Sequence, residues 1–245
     1  MNIEQQPFGQ HISKKYDGDL QQLRDEVIIM GSMVEQQLKD GLECLMNADL
    51  ELAKAVVKND KKINQQDLKI DEQCVQLLAL RQPTASDLRL ITSILKSITD
   101  LERMGDLAQH LGKVNKLLIK DGVSAQQYVE LRHLGELVQA MLKNALDAFT
   151  RLDIEGALQT IAQDKQVNRE YEALSRQLIT YMMEDPRTIK QTLRIFNAAR
   201  ALERFGDHCK NLCEYVIYLV RGEDIRYQDI DDVREALLEE GSQET

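Results

Sequence analysis

The chain has 245 residues, 43% hydrophobic and 29% charged, with three prolines, twelve glycines and no tryptophan; that balance suits a soluble, amphipathic, helical protein with short connections. Its formal net charge of -10 argues against nucleic acid, whose phosphates need Lys and Arg to neutralise them, and makes cations the easier ligands. No apolar run reaches the ~20 residues needed to cross a bilayer, so no transmembrane segment is expected.

Residues 1–19 read as a polar N-terminal segment without the apolar stretch of a signal peptide, which points to the cytoplasm. Helical periodicity then begins. Val27, Met30, Val34, Leu38, Leu42 and Leu45 make one stripe, and Leu88, Ile91, Leu95, Ile98, Leu101, Met104, Leu111 and Val114 make another. Six principal helices are predicted, at 20–47, 49–81, 86–120, 126–151, 153–184 and 187–221. Pro83 and Pro186 punctuate the second junction of each half, and Asp121-Gly122 separates the halves. The tail 222–245 is acidic and reads as solvated, with a short marginal helix around 229–240. Cys44, Cys74, Cys209 and Cys213 form no CxxC and read as core or surface thiols in a reducing compartment; Cys209 and Cys213 beside His208 leave a soft-metal alternative.

The two halves repeat one another. At an offset of 104, Gly31, Leu38, Leu42, Asp49, Asp60 and Asn64 meet Gly135, Leu142, Leu146, Asp153, Asp164 and Asn168. After the proline junction the offset becomes 101, and LERMGD at 101–106 meets LERFGD at 202–207. Each half therefore reads as one three-helix antiparallel bundle, 20–121 and 122–221, in an all-α fold of two tandem repeats.

Inside the repeated phrase, Glu102 and Asp106, like Glu203 and Asp207, are four residues apart and rise from successive turns of one helix face, ~6 Å apart along the axis. Like charges beside a bundle seam repel, so something positive must compensate them. Arg103, Arg200 and Arg204 stand at favourable helical spacings and are one answer. A hard cation is the other, since magnesium, manganese and iron prefer clustered carboxylate oxygen. Asp60 with Asn64, and Asp164 with Asn168, add a second turn-spaced oxygen pair per half. Gly105 and Gly206 recur inside the phrase although glycine costs ~1 kcal/mol against alanine in a helix, which asks for close helix approach or room for a ligand.

The two ExxGD helices, the duplicated three-helix organisation and RQPTASDLR at 81–89 together resemble the PhoU family of phosphate-signalling regulators, over about residues 12–221. The resemblance implies two three-helix bundles, homodimerisation, and carboxylate sites for manganese, magnesium, iron or zinc. By that match Glu102, Asp106, Glu203 and Asp207 are the metal-site candidates, with Asp60 and Asp164 in second rank. Family members often carry an acid at both ends of the second-helix pair, whereas here Asn64 and Asn168 each remove a negative charge. The resemblance further implies a cytoplasmic, non-enzymatic negative regulator of the Pho regulon and phosphate homeostasis. It would couple a phosphate-specific ABC transporter ATPase to a sensor histidine kinase, recruited to the inner face of the membrane through those partners.

Two other classes stay open. A carboxylate-bridged metal oxidoreductase would call for two Glu-x-x-His elements, and this chain has only Glu130 with His133. A metal-free helical adaptor would leave the acid pairs to salt bridges. Phosphate itself has no evident site in the sequence, which lacks a GxxxxGK[ST] loop and a concentrated basic nest.

Overall fold

The computed structural model describes residues 14–81, 83–123, 125, 128–228, 230 and 232–235. Six long helices are described: α1 (Lys14–Asn47), α2 (Leu50–Arg81), α3 (Ala85–Lys120), α4 (Val129–Arg151), α5 (Ile154–Glu184) and α6 (Ile189–Arg221), with a 3-10 turn at Pro186–Thr188 between the last two. No strand occurs among the described residues. The all-α fold of two tandem three-helix bundles is thus as expected: α1, α2 and α3 pack on one another, as do α4, α5 and α6.

The connections explain part of the repeat. Ala48 and Leu152 both take positive φ, at 52° and 54°, and reverse the chain after α1 and α4. The following aspartates cap the next helix: Asp49 Oδ1 accepts from the Leu52 amide at 2.9 Å and Asp153 Oδ1 from the Gly156 amide at 3.1 Å. In RQPTASDLR, Asp87 reaches back and its Oδ2 accepts from both the amide and the hydroxyl of Thr84, at 3.2 and 2.7 Å. That segment is therefore the start signal of α3.

The start of α1 and the packing of the tail differ most from the sequence expectation. α1 starts at Lys14, because Tyr16 and Leu20 continue its buried stripe through Leu23 and Val27 and outweigh the poor helix formers Asp17, Gly18 and Asp19. The described part of the tail is mostly exposed, as expected, but it is anchored: Ile225 and Val233 are buried, and Arg234 pairs with Glu155 at 2.9 Å. Two apolar residues among polar ones suffice to seat it against the second bundle. The proposed helix at 229–240 is helical at 230 and 232–235, and its remainder, like residues 1–13, lies outside the described residues.

The halves meet along two seams, α3 against α6 and α1 against α4. Across the second, a β-carbon on Gly31 would stand 2.5 Å from a Leu146 methyl, and one on Gly135 would stand 2.6 Å from a Leu42 methyl. These are repeat-equivalent contacts run in opposite directions. Across the first seam, buried Asp100 of α3 meets His208 Nδ1 at 2.7 Å and accepts from the Tyr215 hydroxyl at 2.7 Å and the Asn211 amide at 3.3 Å, all on α6. Burial and the Asp100 bond hold the Tyr215 hydroxyl above its usual pKa. A carboxylate taken out of water at the molecule's centre is tolerated because α6 supplies its partners.

Candidate functional site

In the first half, α3 presents Glu102 and Asp106 beside α2, which presents Asp60. Asp106 is exposed, Glu102 half-buried and Asp60 buried at 3% exposure. Gly105 is what lets α2 come close: a β-carbon there would lie 3.1 and 3.2 Å from the Ile63 side chain and 3.5 Å from Asp60 Oδ1. The second half repeats the arrangement, with Glu203 and Asp207 on α6, Asp164 on α5, and Gly206 facing Val167 at 3.2 Å and Asp164 Oδ1 at 3.7 Å. Close helix approach accounts for both glycines.

The carboxyl groups carry the expected electrostatic penalty. Burial, then Asp106, raises the pKa of Asp60. Burial raises Glu102, followed by the fields of Asp106, Asp67 and Asp60. Burial and then Asp207 raise both Asp164 and Glu203, and burial raises Asp207. The arginines act only at a distance. Arg103 eases Glu102, and Arg200 and Arg204 ease Glu203, but none of the three makes an ion pair with these acids among the described residues. The arginine alternative is therefore a diffuse field rather than a set of forks.

The halves differ in how they treat the buried aspartate. Asp60 Oδ1 accepts from Gln37 Nε2 at 3.2 Å and Oδ2 from Gln109 Nε2 at 2.8 Å. At the equivalent positions the second half has Met141 and Lys210. Among the described residues, Asp164 keeps only the Asn168 amide, on Oδ2 at 3.1 Å, and its buried Oδ1 has no partner, as is true of the buried Asn64 Oδ1. Lys210 does lower the pKa of Asp164 through space. The first half instead gains negative charge: Asp67, seven residues along α2 from Asp60, adds a carboxylate where the second half has Tyr171.

A hard cation fits this donor set in chemistry, since the donors are carboxylate and amide oxygens, several of them mutually repelled and one buried oxygen in each half unpartnered. The geometry is open: no group of three His, Cys, Asp or Glu side chains among the described residues is arranged to hold a metal. The soft-metal alternative is not supported, because Cys209 and Cys213 are buried, with burial pushing the Cys213 thiol up to about 12, and His208 Nδ1 faces Asp100. Glu130 and His133 lie exposed on α4, away from any carboxylate pair of the bundle interior. Sequence reasoning named all six acids that the helices gather, but not Asp67, whose i+7 spacing from Asp60 was the available signal. It also missed Gln37 and Gln109, which declare themselves only when α1 and α3 meet α2.

Comparison with known proteins agrees with this organisation. The PhoU domain description matches twice, at residues 27–114 and 131–216. The phosphate-specific transport system accessory protein PhoU homolog of Pseudomonas aeruginosa is 47% identical over 233 residues, 95% of this chain and 96% of that protein. The phosphate-specific transport system accessory protein PhoU of Escherichia coli is 44% identical over 232 residues, 94% of this chain and 95% of that protein. The crystal structure of PhoU from Pseudomonas aeruginosa superposes with a TM-score of 0.82 at 50% identity, over 85% of this chain and all of that one. The phosphate transport system regulatory protein PhoU from Streptococcus pneumoniae gives 0.79 at 33% identity, over 85% and 98%.

Proposed function

The chain belongs to the PhoU family, and from that premise we propose that it is a non-enzymatic accessory protein of a phosphate-specific transport system. The observation that carries this reading is near-full-length identity with proteins named for that role in Pseudomonas aeruginosa and Escherichia coli. The finer reading is a negative regulator of the phosphate-starvation response that acts as a cytoplasmic homodimer and couples the transporter ATPase to a sensor histidine kinase. No helix among the described residues is long and apolar enough to cross a membrane, so membrane proximity would come through partners. Long helical faces supply docking area for such contacts. Affinity purification of the full chain from phosphate-replete cells should retain both the ATPase and the kinase; loss of both under that condition would remove the coupling role.

Metal binding is the second part of the proposal. Glu102, Asp106 and Asp60 would hold a cation in the first half, and Glu203, Asp207 and Asp164 in the second. A bound manganese, magnesium, iron or zinc ion would supply positive charge that cancels the mutual repulsion of those carboxylates. The acids sit on paired helices, so cancelling their repulsion would favour close packing of α2 on α3 and of α5 on α6. An ion that binds one packing arrangement more tightly than another shifts the population between them. Equilibrium dialysis with manganese should show binding that falls in Glu102→Ala and Glu203→Ala and is lost in the double variant. Unchanged stoichiometry in the double variant would rule the assignment out.

A further inference from the structure

The sequence shows no concentrated basic nest, yet packing builds one. On one face of the α3–α6 seam a groove of about 600 Å³ is lined by Arg103 and Lys113 from α3 and by Arg200 and Arg204 from α6, with buried His208 also in its wall. Arg103 and Arg204 are equivalent positions of the repeat, so the two bundles present matching guanidinium groups to one shared concavity. Among the described residues lining it, Asp106 is the one carboxylate. In a chain of net charge -10, four cationic side chains gathered in one groove make a local field opposite in sign to that of the whole. A concave wall focuses that field. The three arginines act on the protein's own acids only through space, since none forms an ion pair among the described residues. Lys113 donates to the Gln109 side chain.

We propose that this groove binds free hydrogen phosphate, an oxyanion that still carries a proton at neutral pH. Guanidinium forks match the oxygens of a tetrahedral oxyanion and form charge-assisted hydrogen bonds with them. Asp106 decides which oxyanion. A carboxylate beside the bound anion repels it unless the anion donates a hydrogen bond, and hydrogen phosphate has a P–O–H to donate. Sulfate at neutral pH has none and meets Asp106 charge against charge, as do the carboxylates of an acidic peptide. A phosphate monoester, whose second pKa is about 6, is largely a proton-free dianion at neutral pH and meets Asp106 as sulfate does.

Isothermal titration calorimetry on the full chain at low ionic strength tests this, with EDTA present so that the outcome is independent of the metal assignment. Inorganic phosphate, AMP and sulfate are the probes. At about pH 7.5, saturable binding of phosphate at one per chain is expected, with sulfate and AMP weaker by about tenfold or more, the scale of one charge-assisted hydrogen bond. Preference for phosphate supports the site, whereas AMP bound as tightly as phosphate would mean that Asp106 does not select for the P–O–H. Arg103→Gln and Arg204→Gln should each weaken binding by about tenfold, with Arg204→Lys intermediate, while Asp106→Asn should close the gap between phosphate and sulfate. The variants change exposed side chains, and matching thermal melts would show that they fold. No saturable heat with phosphate, equal affinity for sulfate or AMP, or phosphate binding indifferent to both arginine variants would overturn the proposal.

Discussion

Glu102 and Glu203 hold their protons more tightly than free glutamate, whose pKa is 4.5, because burial raises them first and neighbouring acids add to it. A carboxyl group whose pKa is higher in the folded state binds more protons folded than unfolded between its two values, so it favours folding at low pH and that benefit is lost as pH rises through the folded pKa. Urea unfolding should therefore show the wild-type chain losing stability relative to the Glu102→Gln, Glu203→Gln double variant as pH climbs from about 4.5 toward neutrality, and saturating manganese should flatten the difference. Parallel curves without metal would mean that the two glutamates do not feel the repulsion. Glu26 behaves in the opposite sense, held low by Lys69 and Gln66, and cancels in the comparison. The carboxylates were legible in the sequence because their partners lie four residues away on the same helix. Asp100 was not, because His208, Asn211 and Tyr215 reach it across more than a hundred residues, and no local spacing encodes that meeting.

Helices carried most of their own information, since buried residues at three- and four-residue intervals define each stripe and the Asp49, Thr84 and Asp153 caps mark three starts. The start of α1 was hidden because propensity and packing disagree over Asp17, Gly18 and Asp19, and a single turn of buried Tyr16 and Leu20 decides it. Glycine was the harder letter to interpret: Gly18 has open space around it, whereas Gly105 has the Ile63 side chain at 3.1 Å. These two should therefore respond oppositely to a side chain. Gly18→Ala should stabilise the fold by up to about 1 kcal/mol through helix propensity, and Gly105→Leu should destabilise it by about 1–3 kcal/mol by forcing α3 off α2. Thermal and urea melts check both. A stabilised Gly105→Leu would show that α2 and α3 have slack at the site.

At the scale of the whole molecule, the arginines that line the α3–α6 groove are the same charges that ease Glu102 and Glu203. An anion that engages them leaves the acid pairs less compensated, so manganese should bind more tightly in the presence of saturating phosphate. By reciprocity phosphate should bind more tightly with manganese by the same factor. Independent titrations in both orders measure it; equal affinities with and without the second ligand would show that the sites are uncoupled. The division into two halves was legible because the 104-residue offset survives in apolar and polar letters alike, while the groove was not, because its basic residues are scattered over two helices and converge only on folding. The paired contacts of Gly31 with Leu146 and of Gly135 with Leu42 extend this point. Each half carries a socket and a plug in the same register, as two copies of one self-complementary subunit would. A gene split between codons 122 and 128 should accordingly yield two polypeptides that find each other during co-expression and co-elute, and enlarging both sockets' side chains should abolish that reunion.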